Sequence, residues 1–256
     1  MNKIRRTLII MLAACAALTA CKQDETLRYN NVTMGNVTEG TFTSDQGNVF
    51  NVVEKNCTGN LEEMKRAFVI CDVLNLTPGT ENEYDVRLNG VAEVLVKDAI
   101  SRNQADGNEE SAVSDPIYIN AFWISGGYVN MYLVYERLKD SDVKHLVNLV
   151  IEESETESGK YSFTLRHNSF GESLTSDLED EDKEKLILAA AYVSFPLNEM
   201  IEGNSAELTF KWKWYKSAGL GISSETQEYS QTVSYQKGGY EQAPAIRSSK
   251  VITKLN

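Results

Sequence analysis

Hydrophobic residues recur at every second position through most of this chain. The clearest run is Tyr84 to Asp98, where Val86, Leu88, Ala92, Val94 and Val96 fall at even positions around Gly90. Period two over that length predicts one long strand with a single buried face. Asn89-Gly90 also carries the residues of a type I′ hairpin. A two-residue hairpin there would set Val86 against Glu93 and put a charge on the apolar face. The pattern therefore predicts one strand, bent or bulged at Gly90. Long strands bent at a glycine let small barrels close. Upstream, Phe68 to Leu74 is a short, almost unbroken apolar strand. Val49 to Val53 follows a turn cluster, Ser44 to Gly47, so a strand pair is predicted. Leu61 to Arg66 reads as one helical turn or a loop.

The second half alternates as well. Ile117 to Ile124 and Tyr128 to Tyr135 flank Ser125-Gly126-Gly127, a hairpin by its turn chemistry. Leu146 to Ile151 is apolar except for Asn148. Period two returns in Tyr161, Phe163 and Leu165, in Ala191, Val193, Phe195 and Leu197, and in Leu208, Phe210, Trp212 and Trp214. It persists more weakly in Tyr229, Gln231, Val233 and Tyr235. Pro196 marks an edge or the end of its strand. Short strands separated by turns predict a β-sandwich. Only Asp177 to Ala190 looks helical, with an acidic first turn running into Leu186 to Leu188. Residues 103–115 are polar and precede Pro116, which suits a domain boundary. The expected class is all-β, with an N-terminal barrel domain over 32–110 and a C-terminal β-sandwich domain over 111–240. The tail, 241–256, follows a stretch from Lys237 that holds two glycines and is expected to be poorly ordered.

The N-terminus has a different pattern. Lys3, Arg5 and Arg6 precede an apolar run from Leu8 to Leu18 and then small residues, the parts of a secretory signal peptide over 1–20. The run is shorter than the ~20 apolar residues that span a bilayer. Leu18-Thr19-Ala20-Cys21 resembles the bacterial lipobox. The resemblance implies cleavage before Cys21, which becomes the first mature residue and carries the lipid, palmitate included. Residues 21–31 are polar and aperiodic and read as a tether. Lys22-Gln23-Asp24-Glu25 resembles the Lys-plus-acidic signal that sends lipoproteins of the Bacteroidetes to the outer face of the outer membrane. An ordinary charged tether is the other reading.

Removing 20 of the 256 residues leaves 236, enough to bury one large core or two small ones. The formal charge of −12 becomes about −15 without the signal. That balance argues against nucleic acid, which needs clustered Lys and Arg. It leaves the membrane to the lipid anchor on Cys21 and leaves an envelope protein or glycan as partner. Cys57 and Cys71 have two open readings, separate buried thiols or a disulfide. His145 and His167 each sit at the head or end of an expected strand, in no metal-ligand spacing, and are read as surface or strand-end residues. No Gly-x-Ser-x-Gly elbow, Walker loop or dinucleotide fingerprint is present. Asp177 to Glu184 offers oxygen ligands but lacks the glycine and terminal glutamate of a calcium loop, so a solvated helix start is expected. In Lys211 to Tyr215 the tryptophans continue the face of Leu208 and Phe210, which places them in a core. These residues predict no catalytic site, cofactor or metal. A carboxylate-dependent envelope hydrolase is the alternative.

Taken in order, the lipobox, Ala67 to Leu74, Tyr84 to Asp98, Asn120 to Asn130 and Tyr192 to Leu197 resemble the NigD-like lipoproteins of Bacteroides and relatives. The resemblance implies an N-terminal OB-like barrel and a C-terminal β-sandwich. It implies no catalytic or binding residues. The family's association with a bacteriocin system makes a bacteriocin-related or immunity-like, non-enzymatic role the expectation.

Overall fold

A computed structural model describes residues 30–152, 159–198, 200–218, 221–241 and 255. The signal segment, Cys21 and the tether up to position 29 lie outside these residues, as do 242–254 of the tail.

Five strands make the first unit: β1 (Asn30–Thr38), β2 (Thr41–Ser44), β3 (Val49–Lys55), β4 (Arg66–Leu76) and β5 (Glu83–Val96). β1 pairs with β2, β2 with β3 and β4 with both β1 and β5, all antiparallel. β3 runs parallel to β5 and closes the ring. This order, 1-2-3-5-4-1, is an OB-like Greek-key barrel. Phe42, Phe50, Val69, Cys71, Val86 and Leu88 fill it. A 3-10 turn, Leu61–Glu63, sits between β3 and β4, adds Leu61 to the core and is capped by Asn60. Cys57 and Cys71 are separate thiols. Burial pushes the Cys71 thiol up to about 12, so it stays protonated and inert.

β5 is the single long strand expected, but its even positions do not share one face. Cys71 pairs with Leu88 and Ile70 with Gly90, so Asn89 is an extra residue in the ladder. One inserted residue sends every later side chain to the opposite face. Val86 and Leu88 point into the barrel, Val91 then takes over that face, and Ala92 and Val94 pack outside it. The extra residue is Asn89 rather than Gly90. A Cβ at Gly90 would make ordinary contact with Ile70 at 3.5 Å, so the site does not demand glycine.

The end of β5 leaves the barrel and joins the sandwich. Val94 to Val96 run parallel to β11 (Leu186–Pro196). β11 pairs with β8 (Tyr128–Leu138), and β8 with β7 (Tyr118–Ser125) through the Gly126-Gly127 hairpin. The facing sheet has the order β13-β12-β10-β9-β6. Its strands are β6 (Ile100–Ser101), β9 (Leu146–Ile151), β10 (Lys160–Asn168), β12 (Ser205–Ala218) and β13 (Gly221–Gln236). Val129, Met131, Leu133, Val193, Phe195, Phe163, Leu208, Phe210 and Trp212 lie between the sheets.

β8 and β11 are buried on both faces, which explains their nearly unbroken apolar sequence. Their other faces meet the barrel: Tyr132, Tyr192 and Ala190 pack with Met34, Phe68, Val94 and Trp123 in a third core. Phe68 stacks on Tyr192 with centroids 4.5 Å apart. The barrel and sandwich therefore share a strand and a core.

One further sequence expectation is corrected. The helix over Asp177 to Ala190 is only the turn α3 (Asp180–Lys183), because Leu186 already begins β11. The acidic turn is solvated as expected, and the apolar residues after it are strand. Residues 103–115 are helical in part. They form α1 (Arg102–Asp106), with a Ser101–Gln104 capping box, and α2 (Glu109–Ala112), capped by Asn108. Asp106 bonds Arg166 and the Glu110 carbonyl bonds Asn168, so both helices are fastened to β10 of the sandwich.

Candidate functional site

The barrel carries an open cleft at one side. β1 turns into β2 through Glu39 and Gly40, both at positive φ (51° and 79°), as a type I′ turn requires. This turn, β3 and the 3-10 turn enclose a cleft of about 440 Å3. Small-molecule sites are typically ~300–1,000 Å3. Phe50, Leu61 and Leu88 form its floor, and Glu39, Glu62, Lys55 and Asn51 line it. Among the described residues, no ion pair occupies Lys55, Glu39 or Glu62. OB-fold barrels take ligands on the β2–β3 face and its adjoining loops, and this cleft lies there. Sequence reasoning missed it. The only local signal was the Glu39-Gly40 turn, which says nothing about a cavity.

The residues singled out in the sequence do not gather at this cleft. Leu208, Phe210 and Trp212 are core, as expected, and Trp214 packs against it. His145 and His167 do sit at strand ends, yet they are fully buried and in contact with each other, not at the surface. Among the described residues, no group of three or more His, Cys, Asp or Glu side chains is arranged to hold a metal.

Two buried polar clusters were also missed. The first lies at the seam. Arg66, at the start of β4, is wholly buried. Its Nη1 donates to Asp45 Oδ1 at 2.8 Å and to Asn36 Oδ1 at 2.9 Å. Nη2 donates to Asp45 Oδ2 at 2.6 Å and to Asn130 Oδ1 at 2.9 Å, and Nε to Ser194 Oγ at 3.0 Å. All five guanidinium N–H groups are thus used. Ser125 Oγ donates to Asp45 Oδ2 at 2.6 Å, and the Tyr128 ring lies 4.2 Å from the Arg66 guanidinium carbon. Gly126 is forced by this cluster: its φ is 61°, and a Cβ there would come within 2.3 Å of Asp45 Oδ1. Asn36, Asp45 and Arg66 belong to the barrel; Ser125, Asn130 and Ser194 belong to the sandwich.

The second cluster is inside the sandwich. His167 Nδ1 meets the Pro116 carbonyl at 3.0 Å, His167 Nε2 meets His145 Nδ1 at 3.1 Å, and His145 Nε2 meets Glu172 Oε2 at 3.2 Å. Glu172 also accepts from Leu138 N–H at 3.1 Å and from the Ser141 hydroxyl. Tyr135 packs against both imidazoles. Burial pushes His167 down to about 3, helped by the neighbouring His145. Burial also lowers His145, with Glu172 pulling the other way. Beside them Glu136 accepts from Leu174 N–H and the Tyr215 hydroxyl, and burial raises that phenol.

An OB-like barrel sharing a strand with a C-terminal β-sandwich defines the class of this protein. Residues 99–225 match the family model described as the NigD-like C-terminal beta sandwich domain. The chain belongs to the NigD-like family. Among solved structures it is similar to a protein of unknown function from Bacteroides vulgatus, at 21% identity and a TM-score of 0.57, covering 84% of this chain and 96% of that one. It is similar to a NigD-like immunity protein from Bacteroides caccae, at 18% identity and a TM-score of 0.52, covering 78% and 98%. A structure from Bacteroides fragilis described as a candidate lipoprotein matches at 14% identity and a TM-score of 0.54, covering 80% and 97%. At these identities the likeness is one of fold. Comparison with curated proteins gave no match.

Proposed function

We propose that this chain is a lipid-anchored protein of the cell envelope, held at the outer membrane through Cys21, that binds a partner without catalysing a reaction. The observation that carries this reading is Leu18-Thr19-Ala20-Cys21 after a basic and apolar leader, with a polar tether behind it. One acyl chain gives only marginal membrane binding. A lipobox cysteine is expected, by its resemblance, to carry several, which makes the anchor stable. The cleft beside Glu39, Lys55 and Glu62 is the place for the partner, an envelope protein or glycan. The Bacteroides caccae relative is described as an immunity protein and the Bacteroides fragilis relative as a candidate lipoprotein, which supports an immunity-like role at a membrane. A carboxylate-dependent hydrolase gains no support from the buried acids. Glu136, Glu172, His145 and His167 are each at most 6% exposed, and the Asp45 side chain is 2% exposed.

Labelling cells with radioactive palmitate tests the anchor. The wild-type chain takes up label and runs at mature size. Cys21→Ala is expected to lose the label and accumulate as precursor. Undiminished labelling of that variant would overturn the assignment.

A further inference from the structure

We infer that the His145–Glu172 pair holds one proton beyond those its neutral imidazole neighbours supply, making it a buried proton-binding site that couples folding to pH.

The argument is a count of hydrogens along a chain of contacts. The Pro116 carbonyl can only accept, so His167 Nδ1 must carry a hydrogen. His167 is held neutral by its burial, so its Nε2 offers a lone pair. His145 Nδ1, 3.1 Å away, must then donate. That leaves His145 Nε2 facing Glu172 Oε2 at 3.2 Å. Two neutral imidazoles bring two hydrogens to three contacts. With two, a ring lone pair would abut an ionised carboxylate where His145 is 0% and Glu172 4% exposed. Facing lone pairs in so dry a place are strongly unfavourable. A third hydrogen, on Nε2 or on the carboxyl, removes the conflict. The count and the pair's net charge of zero are the same in both places.

The surroundings do not supply this charge balance another way. Arg137 on β8 acts against a positive His145, while Asp115, before β7, favours one. Asp115 is already bonded by Ser169 N–H and Oγ, which follow β10. Glu136 on β8 is taken by Leu174 N–H and the β12 Tyr215 hydroxyl. Tyr135 contributes its ring. At His145 the tail contributes Leu255, an apolar residue.

Above about pH 6.5 the folded pair keeps a proton that the unfolded chain has lost. Unfolded, Glu172 ionises near ~4.3 and His145 near ~6.5. The pair's contribution is level between those two values and falls as pH rises from about 6.5 to the pH at which the folded pair releases the proton; in a ratio to a chain that keeps His145, the unfolded histidine cancels. Glu172→Gln provides the reference, because the amide brings the third hydrogen covalently. The folding equilibrium constant of the wild type divided by that of Glu172→Gln should fall about tenfold per pH unit between about pH 5 and 8. A ratio that stays flat would overturn the inference. If Glu172→Gln does not fold, the wild-type protein decides by imidazole 15N and carboxyl 13C resonances at pH 7. A hydrogen in the His145–Glu172 contact supports the site. A bare His145 Nε2 beside an ionised Glu172 refutes it.

Discussion

At the seam, Arg66 meets acceptors for all five of its N–H groups; inside the sandwich, three contacts in a row share two hydrogens from neutral imidazoles. The first cluster carries a fixed positive charge beside a carboxylate that returns both oxygens to it, a complete bidentate pair. The second is completed only by a proton drawn from solution. Burying polar groups is costly unless every one is paired, and these regions meet that requirement by different means. A guanidinium stays charged across the pH range proteins experience. The proton in the His145–Glu172 contact is exchangeable, so this cluster's balance depends on pH. The joint between the domains is therefore built from the group that does not switch, and the group that can switch sits within one domain.

The largest effect that would break this comparison is at the seam. Arg66→Met leaves Asp45 buried without its partner and should cost about 3–5 kcal/mol in chemical denaturation. Arg66→Met combined with Asp45→Leu removes both charges and should recover much of that loss. If the double variant is as unstable as the single one, the charge is not what the seam depends on. The next effect is the pH response described for Glu172→Gln, worth about 1.4 kcal/mol per pH unit for one proton. Arg66→Met should leave that slope unchanged, because the clusters share no residue. The smallest effect is on the surface. Lys216 Nζ lies 2.7 Å from Glu225 Oε2 with both side chains about half exposed or more. Lys216→Ala should leave the denaturation midpoint almost unchanged. A larger loss would mean that exposed pairs on the β12–β13 hairpin rival the buried clusters.

The strands were legible in the sequence because burial on one face writes period two into neighbouring positions. The Tyr118–Leu138 hairpin announced itself through Gly126-Gly127, and Trp212 through the face it shares with Leu208 and Phe210. The register of β5 was not legible. A bulge at Asn89 changes which face is inside without changing the alternation around it. The short helices α1 and α2 were hidden because four- and five-residue helices carry caps but no apolar stripe. The clusters were invisible for another reason. Arg66 lies 21 residues from Asp45, 64 from Asn130 and 128 from Ser194, and His145 lies 22 from His167. Only the folded topology brings them together. The cleft is equally a property of the closed barrel, assembled from a turn, a strand and a 3-10 turn whose sequences are individually ordinary. Family membership was readable from the order of the strands; the chemistry of the interior was not.

A shared strand, a shared apolar core and the Arg66 cluster together make the barrel and sandwich one cooperative body. Calorimetric unfolding of the full chain at pH 6.5 tests this most directly. The expected result is a single transition in which the calorimetric and van't Hoff enthalpies agree. Two separated transitions, or a calorimetric enthalpy well above the van't Hoff value, would show that the domains unfold independently.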